Sequence, residues 1–117
     1  MTSAPFLIVG FVVVAAAGTI IRALTTARLN DDFYYGTLAI NLLGSFLLGA
    51  LADSSSPWAP VLGVAGLGAL TTWSTLAEET TAILRRGEAA LASSYLGATV
   101  FAGVLAAWIG LRVGPIL

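Results

Sequence analysis

Residues 66–79 read GLGALTTWSTLAEE, and the interpretation of this stretch decides the fold. It opens on glycine and aliphatic residues and then sets Thr71, Thr72, Ser74, Thr75, Glu78 and Glu79 almost side by side. In water this is an ordinary polar turn. In hydrocarbon it is an interruption, because polar side chains there are costly and face a bundle interior or a water-filled path. The rest of the chain has to say which solvent surrounds it.

Of the 117 residues, 58% are hydrophobic and 9% charged, and the mean hydropathy is +0.96. Soluble domains run near ~25% charged, so composition puts this chain in the membrane class, and its length allows one domain. The absence of cysteine excludes a disulfide framework and a thiolate metal site. Histidine is absent too, which removes the usual general base and the commonest metal ligand. A net charge of −1 argues against nucleic acid as a partner, since that needs a basic face. No basic residue precedes the apolar run in MTSAPFLIVG, so no cleaved signal peptide is predicted.

A spanning helix takes about 20 mostly apolar residues. Four can be cut from the sequence, at about 5–27, 33–52, 57–84 and 89–112, forming a single transmembrane domain over 1–117. The polar stretches TTARLNDD, ADSSSP and RRGEA mark the turns between them. Pro57 is placed to open a helix, and Tyr34, Tyr35, Trp58 and Trp108 fall near segment ends, where amphipathic rings favour the headgroups. Short loops make sequential helices antiparallel neighbours. One such subunit is too thin to enclose a pathway, so an oligomer is predicted. The pairs Ser45/Gly49, Gly103/Ala107 and Ala106/Gly110, each four apart, fit close helix packing in lipid. All five basic residues are arginine: Arg22 and Arg28 flank the first loop, Arg85 and Arg86 the third, and Arg112 lies near the C-terminus. By the positive-inside rule the first and third loops are cytoplasmic.

Several polar residues stand inside these spans. Arg22 lies about 25 Å along a helix begun at Pro5, at ~1.5 Å per residue, where it either snorkels to the interface or serves a path. Asn41 sits midway along the second span, and Tyr95 and Thr99 are one turn apart on the fourth, with Gly103 continuing their face. In the third, Gly63, Gly66 and Gly68 precede the hydroxylated run, and each glycine weakens a helix by about 1 kcal/mol. A helix interrupted there frees carbonyls and amides, which is tolerated only where backbone is buried in protein or lines a cavity. Freed carbonyls suit a hard monovalent cation, whereas amides and hydroxyls suit an anion. Ser74 and Thr75 add donors, and Trp73 and Leu76 share a helix face three residues apart. With no nucleophile–base pair and no thiol, the chemistry is ion coordination and the chain is no enzyme.

Four motifs in order, covering nearly the whole chain, resemble the CrcB/Fluc family of small fluoride channels. GTIIR (residues 18–22) resembles the family's first-helix Gly-xxx-Arg, and GTLAINLLGSFLLG (36–49) its second-helix signature, with Asn41 at the asparagine. GLGALTTWSTLAEE is similar to the third-helix pattern and SYLGATVFAGVLAAWIG (94–110) to the fourth. The resemblance implies an all-α membrane protein with four transmembrane helices per subunit, the third broken mid-membrane, assembled as an antiparallel dimer. It implies passive, fluoride-selective export across the cell membrane of a bacterium or archaeon. A structural sodium ion would sit at the dimer centre, held by the backbone carbonyls of Gly68 and Thr71. The fluoride pathway would fall on Asn41, Trp73, Ser74, Thr75, Leu76, Tyr95 and Thr99, with Arg22 and Glu79 in a vestibule or gating role. Besides lipid and fluoride, the partner implied is a second CrcB-like subunit.

One departure bears on that partner. The family's two pore phenylalanines correspond here to Trp73 and Leu76. A phenyl ring offers an anion its partly positive edge, and leucine has no such edge. Together with the arginine bias this favours a heterodimer, with a homodimer as the alternative. Two rival functions remain. A small multidrug-type, proton-coupled cation exporter needs a carboxylate in the first span, and the first acidic residue here is Asp31, in a loop. A non-conducting membrane assembly subunit would use the polar cluster for packing alone.

Overall fold

The computed structural model describes residues 3–116, and all regular structure among them is helical. Helix α1 spans Ala4–Leu29 and α2 Tyr35–Leu51. A third rod starts with a π-helical turn pair, Val61–Leu67, and runs on as α3 (Gly68–Leu70) and α4 (Trp73–Arg85). Helix α5, Ala89–Val113, ends in a 3₁₀ turn, Gly114–Ile116. Four helical rods therefore form an elongated slab of 56 × 28 × 19 Å, about two helix diameters thick. Two of the described helical stretches, Ala4–Leu29 and Ala89–Ile116, are long and apolar enough to cross a membrane, and the apolar Tyr35–Leu51 is shorter.

Helix α2 lies between α1 and α5, and the third rod changes neighbours along its length. Its first half, Val61–Leu70, leans on α1, and its second half, α4, leans on α5. The switch occurs at Thr71 and Thr72, whose backbones are extended (ψ 153° and φ −149°, ψ 119°) rather than helical. Two buried clusters flank that point: Ile40, Leu67 and Leu70 before it, and Leu76, Ile83, Ala92 and Tyr95 after it.

The seam between α2 and α5 is built on missing side chains. A Cβ at Gly49 would run into the Ala107 carbonyl, and one at Gly110 into the Phe46 carbonyl. Lipid tails are as apolar as leucine, so such helices are held by close packing rather than by release of water. Gly49 and Gly110, one from each of the pairs Ser45/Gly49 and Ala106/Gly110, thus serve contact inside one subunit, although the spacing alone fits an oligomer equally well. Gly18 does the same for α1, packing against the Gly66 carbonyl of the π-helical turn.

The last turn is conventional. Gly87 adopts φ +78°, which glycine enters without a Cβ penalty. The Gly87 and Glu88 amides then donate to the Leu84 and Ile83 carbonyls, a Schellman closure that reverses the chain into α5. Outside the seams the slab is strongly apolar. α1 buries only Gly18, and Phe6, Val12, Phe101 and Val104 are all more than 60% exposed. So many large exposed apolar side chains are unusual for a water-facing monomer.

Candidate functional site

The interruption at Thr71–Thr72 is closed by one side chain from α2. Asn41 Oδ1 accepts the Thr72 N–H at 2.9 Å, and Asn41 Nδ2 donates to the Thr72 carbonyl at 3.3 Å. The carboxamide thus pairs with both halves of one residue's backbone, as a neighbouring strand would. Gly44, one turn along α2, makes room for the Thr71 methyl group. Thr72 also caps α4: its Oγ1 accepts the Thr75 N–H at 3.1 Å and donates to Thr75 Oγ1 at 3.0 Å.

These bonds redirect two amides. In an unbroken helix the Thr72 N–H would serve the Gly68 carbonyl and the Thr75 N–H the Thr71 carbonyl, four residues back in each case. Here the first goes to Asn41 and the second to the Thr72 hydroxyl. Gly68 and Thr71 therefore lose their usual helical donors at a point where Gly68 is exposed and Thr71 half-buried. Thr71 Oγ1 donates to the Leu67 carbonyl at 2.9 Å.

Above the interruption a cavity of about 400 Å³ opens on the slab surface. Asn41, Ser45, Thr71, Thr72 and Thr99 are the polar residues that line it, with Trp73, Leu76, Val100 and Gly103 among the others. Trp73 is 68% exposed, whereas Leu76 is 2% exposed and packs into the α4–α5 cluster beside Tyr95. Thr99 Oγ1 donates to the Tyr95 carbonyl at 2.7 Å.

A second polar group lies along α4. Glu79, 7% exposed, accepts at both carboxylate oxygens: Thr37 Oγ1 and Asn30 Nδ2 donate to Oε1 at 2.6 and 3.3 Å, and Tyr95 Oη donates to Oε2 at 2.7 Å. Asn30 holds this knot to the helix ends. Its backbone N–H donates to the Thr26 carbonyl, closing α1, and its Oδ1 accepts the Gly36 and Thr37 amides, opening α2. Phe33 and Tyr34 cover Tyr95, with ring centroids 5.1 and 5.8 Å away.

The residues singled out from sequence thus divide. Asn41, Trp73, Leu76 and Thr99 meet at the cavity, together with Thr71. Ser74 and Thr75 stand just beyond it in the first turn of α4, within reach of Thr72. Tyr95 and Glu79 belong to the knot, and the half-buried Arg22 joins neither hydrogen-bonded group. Sequence reasoning did not find Asn30, Thr37 or the clamping part of Thr72. For Asn30 a signal existed: asparagine after a basic last turn is a common helix stop. For Thr37 there was none, because threonine in the first turn of an apolar helix has no distinguishing spacing.

An all-α membrane protein with an interrupted, polar third rod is the class these features define. The chain belongs to the CrcB family: residues 9–111 match the model described as "CrcB-like protein, Camphor Resistance (CrcB)". It is 46% identical over 90 residues to the Fluoride-specific ion channel FluC 1 of Geobacillus kaustophilus, covering 75% of this chain and 78% of that one. It is 40% identical over 108 residues to the Fluoride-specific ion channel FluC of Pseudomonas putida, covering 83% and 87%. With the Fluoride-specific ion channel FluC of Photobacterium profundum it shares 32% over 120 residues, covering 92% and 94%.

Proposed function

We propose that this chain is a subunit of a fluoride-selective channel through which fluoride leaves the cell passively, across a membrane spanned by all four rods. The observation that carries this reading is the opened helix at Thr71–Thr72, clamped by Asn41 beside a cavity that exposes amide and hydroxyl groups. Kinship with proteins named fluoride-specific channels supplies the ion. Hydrogen-bond donors in an otherwise apolar wall are what a small, strongly hydrated anion needs in exchange for its water.

The proposed assembly is an antiparallel dimer, because a slab 19 Å thick leaves the cavity open on one side. A structural sodium ion at the dimer centre fits the donor set. Gly68 and Thr71 would offer neutral carbonyl oxygens whose helical amides are engaged elsewhere, and hard oxygen donors without charge suit a hard monovalent cation. The proposed partner is a second CrcB-like subunit rather than another copy. Leu76, turned into its own subunit's core, has no ring edge to offer, and Trp73 stands out at the cavity mouth. Burial of Tyr95 against Glu79 makes the Tyr95 hydroxyl a positioning group rather than a free donor.

Fluoride efflux from liposomes tests the channel and the identity of its partner. This chain, co-purified with a second CrcB-like subunit in sodium, is expected to pass fluoride rapidly and chloride hardly at all. The chain alone is expected to be much slower. Rapid efflux through the chain alone would overturn the heterodimer, and no efflux from either preparation would overturn the channel.

A further inference from the structure

The cavity wall divides into donors that are engaged and donors that are free. Thr71, Thr72 and Thr99 each commit their single hydroxyl proton, to the Leu67 carbonyl, Thr75 Oγ1 and the Tyr95 carbonyl. Asn41 uses one of its two amide N–H bonds on the Thr72 carbonyl and keeps the other. Ser45, one turn further along the same face of α2, lines the cavity half-buried, and its hydroxyl has no hydrogen-bond partner among the described residues. A hydroxyl on a helix can bond the carbonyl four residues back, as those of Thr80 and Thr99 do. Ser45 does not take that option.

What faces Ser45 is the reason its position matters. At Gly49/Ala107 and Gly110/Phe46 the α2–α5 seam is backbone on backbone. At Ser45 it parts. Opposite stands Gly103, where an added Cβ would sit 3.6 Å from Ser45 Oγ with no closer neighbour. The gap is thus bounded on one side by a hydroxyl and an amide, and on the other by a residue without a side chain.

We infer that Ser45 contacts the permeating ion: its O–H and the second N–H of Asn41 form a two-donor subsite for a small monovalent anion in the gap left by Gly103. This rests on the channel reading above. Two variants pull packing and binding apart. Ser45→Ala enlarges the gap and removes a donor; Gly103→Ala keeps the donor and fills the gap at ordinary contact distance. If the gap mattered only as free space, Ser45→Ala would leave efflux unchanged or faster.

The experiment is fluoride efflux from liposomes, using whichever assembly of the parent conducts, alongside thermal unfolding in detergent with and without sodium fluoride. The expected result is at least a tenfold slower efflux for both variants, with the parent's elution profile, and loss of fluoride protection against heat in Ser45→Ala. Efflux by Ser45→Ala within twofold of the parent overturns the inference while leaving the channel intact. If the parent passes no fluoride, the channel reading fails and heat protection decides alone. Protection in the parent that is lost in Ser45→Ala keeps the subsite; equal protection in both, or none in either, removes it.

Discussion

Two asparagines do comparable work in two regions of this molecule, with different consequences. Asn41 clamps a neutral stretch of backbone with two hydrogen bonds and still presents an N–H to the cavity. Asn30 works in a knot around the Glu79 carboxylate, with Thr37 and Tyr95 as fellow donors and an aromatic cover above. A carboxylate taken out of water needs several donors to offset its desolvation, and bonds to such a group are the short, strong kind. A single carboxamide can pair both polar groups of one neutral residue. The knot is therefore closed, while the clamp leaves donors over for something that comes and goes. Permeation is expected at the clamp and rigidity at the knot.

The largest loss of stability should follow Glu79→Ala, which strips the acceptor from three donors at once. An abandoned buried donor costs about 1–3 kcal/mol, and from that we expect a total of about 4 kcal/mol, read as loss of the folded peak after mild heating in detergent. A Glu79→Ala protein as heat-resistant as its parent would erase the distinction between the two regions. Asn41→Leu comes next, at about 3 kcal/mol, because the Thr72 N–H and carbonyl lose their only partner of that kind. Its fluoride efflux should fall further than that of any knot variant of equal stability. Should efflux instead track melting temperature across both sets, the clamp and the knot share one role and the distinction fails.

Asn30→Ala is expected to cost about 2 kcal/mol, from the lost cap on α2 and one lost bond to Glu79. Hydrogen exchange would locate the change at the α1–α2 turn, and protection lost at Thr72 instead would contradict it. The smallest effect belongs to Thr72→Ala, at about 1 kcal/mol for an N-cap. Thr72→Ser keeps the capping oxygen and should restore the parent's melting point. Failure of that rescue would mean that the threonine methyl, not its hydroxyl, sets the start of α4.

The sequence made the all-helical, apolar architecture legible, because spans and turns follow from hydropathy and loop polarity. The family was legible as well, and the CrcB match over residues 9–111 bears it out. Less could be read of which polar residues meet. Asn41 stood out because an amide in an apolar span is conspicuous wherever it points. Thr37, Asn30 and Ser45 did not, since a threonine or serine in a membrane helix and an asparagine at a helix end each have an ordinary local use. Leu76, matched by motif to a pore position, borders the cavity and is at the same time almost fully enclosed, in a cluster with Ile83, Ala92 and Tyr95, a burial that no local pattern announces.

By itself, then, the sequence determined the solvent, the number of rods and the family, since each depends on composition and order summed over many residues. Tertiary structure alone decided which half of the third rod leans on α1 and which on α5, and which hydroxyl protons are committed. It also set where the α2–α5 seam opens. The leaning of the third rod and the opening of the seam turn on contacts between residues far apart in the chain, such as Gly18 with Gly66 and Ser45 with Gly103. The commitment of each hydroxyl turns on its rotamer, which residue type and spacing do not fix.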